Sequence, residues 1–157
     1  IIMSLSTLRT IASDRMEPGA TFAGEINSSE AWQVLEDEQN SILVDVRSDA
    51  EWVFVGFPDL SALGKDLVKV SWQLFPDMSL NNSFLEQITE SGCNKDSALM
   101  FICRSGARSR DAAQMCAAHG YSNVFNVCDG FEGRQNQDGH RGVLEGWKAA
   151  GLPWVQS

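Results

Sequence analysis

From residue 22 onward the chain alternates short apolar runs with stretches of helical periodicity. Four runs, at residues 42–46, 67–70, 98–102 and 123–127, are almost continuously apolar. That is the pattern of strands covered on both faces, as in a parallel sheet. A weaker fifth strand is expected at 21–26. Between the strands, Ser28 or Ser29 is placed to cap a helix carrying Ala31, Trp32, Val34 and Leu35, and Ser48 and Glu51 have capping-box spacing. Phe84, Leu85 and Ile88 mark one face of a further helix. A helix over 108–119 is expected to end at Gly120, and a last one over 143–150 at Gly151, with Pro153 beyond. Strand and helix in alternation predict a three-layer α/β/α fold around a central, mainly parallel five-stranded sheet. Ligands of such sheets bind beyond the carboxyl ends of the strands, which directs attention to the segments after Val46, Ile102 and Val127.

With 157 residues the chain has the size of one domain, expected at 21–157. Residues 1–20 read as a disordered tail: the first thirteen hold Arg9 and no acid, and Ile1-Ile2-Met3-Ser4-Leu5 is too short for a secretory apolar segment. A net charge of −9 argues against nucleic acid as a partner, because such partners require a basic surface. No apolar run approaches the length that spans a membrane. Cys93, Cys103, Cys116 and Cys128 are widely and unevenly spaced, which suits neither a zinc site nor a disulfide scaffold. Free thiols in a reducing, cytoplasmic compartment are the expectation, with no metal and no cofactor.

One segment carries chemistry. After the run ending at Ile102 comes Cys103-Arg104-Ser105-Gly106-Ala107-Arg108-Ser109, followed by a helix expected to begin near Ser109. A thiol there faces the open amides of a helix N-terminus, which favour thiolate over thiol, and two arginines add to the effect. Gly106 lets the backbone curl so that successive N–H groups surround an anion. The spacing from Cys103 to Arg108 is C-x4-R. Phosphatases and arsenate reductases of related fold have C-x5-R, and the shorter loop encloses a single sulfur atom better than a tetrahedral oxyanion.

These residues resemble the rhodanese family, whose active-site loop commonly reads C-R-x-G-x-R followed by Ser or Thr. A second family signature, D-V-R-x-x-x-E, is matched by Asp45-Val46-Arg47-Ser48-Asp49-Ala50-Glu51, and a third by His119-Gly120-Tyr121 through Asp129-Gly130-Phe131. The likeness runs from about Glu25 to Trp154. It implies a thiosulfate sulfurtransferase in which Cys103 carries sulfur as a persulfide. Arg104 and Arg108 would orient the donor anion, and a thiol, cyanide or protein acceptor would remove the sulfur. The alternative is a relay module that takes sulfur from a partner protein and passes it on. Two departures stand out: the family's G-H-I-P-G-A segment is replaced by Gly56-Phe57-Pro58-Asp59, and an uncommon stretch fills 132–142.

Other residues have plainer expectations. Asp45, Arg47 and Glu51 read as a structural ion-pair network holding the second strand to its helix. His140 and Arg141 are candidates for a lid over Cys103 or for binding the acceptor. Cys128 ends a strand near the one carrying Cys103 and is a lesser candidate for resolving a persulfide.

Overall fold

The computed structural model describes residues 3–16, 18–19, 22 and 24–156. Its elements in chain order are α1 (Leu5–Ser13), β1 (Gly24–Ile26), α2 (Ser28–Asp37), β2 (Ser41–Asp45), α3 (Asp49–Phe54), β3 (Phe57–Pro58), β4 (Val68–Lys69), β5 (Gln73–Leu74), β6 (Ser79–Leu80), α4 (Phe84–Glu90), β7 (Ala98–Ile102), α5 (Ala107–Ala118), β8 (Asn123–Val127) and β9 (Trp154–Val155). Five strands form one sheet in the order β1-β8-β7-β2-β4, every pairing parallel. Two short antiparallel pairs, β3 with β9 and β5 with β6, lie outside it.

Alternation along the strands builds the three layers. Every residue of β7 and β8 is buried, so each strand supplies both faces. Leu43, Met100, Ile102, Phe125 and Val127 pack with Leu8 and Ala12 of α1, with Ala31, Val34 and Leu35 of α2, and with Trp147. Val44, Leu99, Phe101, Cys103 and Val124 pack on the other face with Phe84 and Ile88 of α4 and Ala112, Ala113 and Cys116 of α5. Full burial of a side chain such as Phe101 or Phe125 contributes roughly 1.5–3 kcal/mol, so this double-sided core is the main source of order around the sheet's carboxyl edge. Among the described residues no helix is long and apolar enough to cross a membrane.

The structure corrects several local expectations. Residues 5–13 are not a tail: Ser4 caps α1, Leu8 and Ala12 one turn apart are fully buried, and Arg9 donates to the Ser122 carbonyl and to Asn123, each at 2.7 Å. Residues 1, 2, 17 and 20 of the expected tail, and 21 and 23 of the expected first strand, lie outside the described residues. Asn27 rather than a serine caps α2, in a reciprocal box with Glu30, whereas the Ser48–Glu51 box forms at the start of α3 as its spacing predicts. No regular helix forms over 143–150. The amides of Trp147 and Lys148 are committed to the carbonyls of Gly130 and Phe131, leaving a single turn closed by Ala150 on Gly146.

Candidate functional site

Cys103 follows β7 at the carboxyl edge, and α5 begins four residues later behind Gly106, its N-cap, at φ 107°. The helix therefore starts at Ala107, slightly ahead of its expected start. Curling the loop requires a glycine there: a Cβ on Gly106 would lie 2.5 Å from the carbonyl oxygen of Cys128. Gly130 is equally constrained, since its Cβ would lie 2.3 Å from the Arg104 oxygen. The exit of β8 is thus pressed against the cysteine loop. Phe131 N–H donates to the Cys103 carbonyl at 2.8 Å, and the amides of Glu132 and Gly133 donate to that of Arg104 at 3.1 and 3.0 Å.

Cys103 is 1 % exposed, and its Sγ accepts from the Gly106 amide and the Ser109 hydroxyl, each at 3.1 Å. It lies at the base of a cavity of about 370 Å³ lined also by Glu51, Gln73, Met78, Arg104, Ser105, Ala107 and Arg108. The whole predicted loop is therefore at one place, with Ser109 behind the sulfur and Gly106 beside it. The two arginines differ. Arg108 is bound to Glu51 through two hydrogen bonds, at 2.7 and 3.0 Å, whereas Arg104 is exposed and carries no ion pair among the described residues. Burial opposes the charge of Arg108, but its hydrogen bonds to Glu51 and the carboxylate's charge outweigh that and raise its pKa further. Burial likewise opposes ionisation of Glu51. The guanidinium of Arg108 and the Ser48 amide prevail, holding the carboxyl below its ordinary value.

The expected network of Asp45, Arg47 and Glu51 is divided. Arg47 pairs with Asp45 at 2.7 Å, both side chains wholly buried, donates to the Gly56 carbonyl and stacks 4.3 Å over the Phe131 ring. Glu51 instead lines the Cys103 cavity, paired with Arg108 at 2.7 Å. His140 and Arg141 line an adjoining cleft with Val55, Glu132, Gln135 and Gly139, and Glu51 and Arg104 form the wall it shares with the first. Residues 132–142 are braced on themselves, with the Gly142 amide on the Glu132 carbonyl and Arg141 on that of Gly133. Cys128 lines a third cavity, with Asn27, Asp129 and Ala149, so the structure gives no support to a resolving role.

Two residues behind the sulfur escaped the sequence reading. Asn126, in the middle of a buried strand, accepts from Ser109, and Glu25 accepts from Asn126. A signal existed: Asn126, an amide inside an apolar run, shares the parity of Val124, which faces α5.

A family model described as the STR4 middle domain matches residues 23–157. The chain is 42 % identical over 129 residues to the uncharacterized protein RP600 of Rickettsia prowazekii, covering 82 % of this chain and 94 % of that one. It is 30 % identical over 109 residues to the thiosulfate sulfurtransferase GlpE of Haemophilus influenzae, covering 69 % of this chain and 85 % of that protein. The crystal structure of Rv0390 from M. tuberculosis superposes with a TM-score of 0.79 at 44 % identity, over 87 % of this chain and 99 % of that one. On sequence and fold together, the chain belongs to the STR4 middle-domain family and is a rhodanese-like member of the sulfurtransferases.

Proposed function

We propose that the protein transfers sulfane sulfur through a persulfide on Cys103, with thiosulfate as a competent donor. The observation that carries the reading is the environment of Sγ: an amide and a hydroxyl at 3.1 Å, at the base of a cavity whose mouth holds an uncommitted arginine. Both donors favour sulfur as an anion, the form that attacks and the form that leaves. In loading, the Cys103 thiolate attacks the outer sulfur of thiosulfate, a new S–S bond forms, and sulfite departs with the pair of the bond that breaks. In unloading, cyanide or a thiolate attacks the outer sulfur of the persulfide and Cys103 leaves as thiolate. Arg104 is the residue suited to meet the donor's sulfonate, because Arg108 is already neutralised by Glu51. Steady-state kinetics with thiosulfate and cyanide test the reading: parallel double-reciprocal lines support a loaded enzyme intermediate, and intersecting lines oppose it.

A relay between proteins is the second reading, and one feature favours it. The β5–β6 hairpin contributes Gln73 and Met78 to the cavity and exposes Leu74, Phe75 and Leu80 beside it. Loading from a persulfide-bearing protein but not from thiosulfate would select the relay; the reverse would select the small-molecule enzyme.

A further inference from the structure

Behind the sulfur runs a buried polar chain that the transfer steps above do not use. Ser109 Oγ lies 3.1 Å from Cys103 Sγ and 2.5 Å from Asn126 Oδ1. The Asn126 amide donates to Glu25 Oε2 at 2.7 Å and to the Gly106 carbonyl at 3.1 Å, and Arg110 Nε donates to Glu25 Oε1 at 2.9 Å. Ser109 and Asn126 are wholly buried and Glu25 is 5 % exposed. Glu25 and Asn126 are register partners on adjacent strands, so the sheet itself fixes their spacing.

Proton counting gives this chain a purpose. Both hydrogens of the Asn126 amide are taken by oxygen acceptors, so its carbonyl oxygen must face Ser109. A serine hydroxyl has one proton and serves one acceptor at a time. When Cys103 is a thiolate, Sγ is the charged and stronger acceptor. Once loaded, the charge sits on the outer sulfur and Sγ is a neutral, divalent sulfur that accepts weakly. On the reading that Cys103 is the sulfur carrier, we infer that Asn126 and Glu25 are positioning residues for the Ser109 proton. It lies on Sγ in the thiolate and turns to Asn126 Oδ1 in the persulfide. Loading exchanges thiolate and thiosulfate for persulfide anion and sulfite with no proton transferred; only the Ser109 O–H rotates. Each resting state of the cycle keeps its hydrogen bonds satisfied, and neither becomes a sink.

Glu25 sets the direction of the amide. In Glu25→Gln, which is nearly isosteric, Arg110 claims the new side chain's oxygen and leaves its NH₂ facing that of Asn126. Relief comes by turning Asn126, which presents its own NH₂ to Ser109 and removes the proton's second acceptor. The persulfide is then destabilised and the thiolate is not. Ser109→Ala does the opposite: it removes one hydrogen bond from each state, and the one lost from the thiolate is charge-assisted and the stronger.

The test is a sulfite titration of thiosulfate-loaded protein in alkaline buffer, with the loaded fraction read by intact mass. Half-unloading is expected at about fivefold less sulfite in Glu25→Gln, at about fivefold more in Ser109→Ala, and within about twofold of wild type in Ser109→Thr, from the strength of one charge-assisted hydrogen bond. Shifts of both variants in one direction, or of neither, overturn the inference. Should Glu25→Gln fail to fold, equal midpoints for Ser109→Ala and Ser109→Thr overturn it as well. A wild-type protein that accepts no sulfur contradicts the sulfur-carrier reading instead, and this inference falls with it.

Discussion

Arg108 and Glu51 face each other at the mouth of the Cys103 cavity, joined by two parallel hydrogen bonds of 2.7 and 3.0 Å. The pair ties the first turn of α5 to α3 and neutralises an arginine that the sequence alone would assign to the donor anion. Glu51→Gln keeps the shape and loses the charge. It is expected to destabilise the fold by ~1–2 kcal/mol at pH 7. Because the folded carboxyl titrates below its ordinary value of 4.5, the Glu51 contribution is complete above that value and is lost as pH falls through the folded one. Melts of wild type and variant should therefore converge in acid. The same variant removes a negative charge from the cavity and should lower the KM for thiosulfate; an unchanged gap in stability at low pH, or a raised KM, would contradict this account.

Arg104 is exposed and has no ion pair among the described residues, so Arg104→Ala should leave thermal stability unchanged. Its expected effect is a rise of roughly fivefold in KM for thiosulfate with kcat nearly constant, the signature of a group that binds ground and transition states alike. Arg108→Ala should instead lower the melting temperature, because it strands a half-buried carboxylate. Equal behaviour of the two variants would show that the ion pair does not divide their roles.

Two of the other thiols are set apart by their acidity. Desolvation pushes Cys116 up to about 12 and Cys128 up to about 11, the latter with help from Asp129 and Glu25. Both are protonated at pH 8. Brief alkylation at that pH, mapped by peptide mass, should label Cys103 well before either; comparable labelling of Cys128 would return it to consideration as a partner of the persulfide.

Gly106→Ala tests the loop's backbone. A left-handed φ of 107° and a Cβ placed 2.5 Å from the Cys128 carbonyl oxygen cannot both be relieved without moving the loop off the exit of β8. The expected cost is about 2 kcal/mol or more, together with loss of sulfur loading. A variant as stable as wild type would mean that the loop has another conformation available.

Much of this was legible in the sequence, for identifiable reasons. The two-faced strands, the Ser48–Glu51 cap and the whole 103–109 loop are local, so spacing and residue type were sufficient. The helix α1 was missed although Leu5, Leu8 and Ala12 stand at helical spacing, because it is short and its anchor Arg9 bonds to residues 113 and 114 positions away. The 143–150 segment has helical composition, but the backbone of Trp147 and Lys148 is taken by a distant strand exit, a competition that no local pattern records. The turn of Glu51 from Arg47 to Arg108, and the reach of Glu25 to Asn126 across 101 positions, are likewise consequences of sheet order.

The central claim is that Cys103 carries sulfur, and its most direct test is intact mass after incubation with thiosulfate, followed by cyanide. The account predicts a gain of one sulfur atom, its loss on cyanide addition, and no gain in Cys103→Ser. No gain from thiosulfate or from any persulfide donor, or an equal gain in Cys103→Ser, would contradict it.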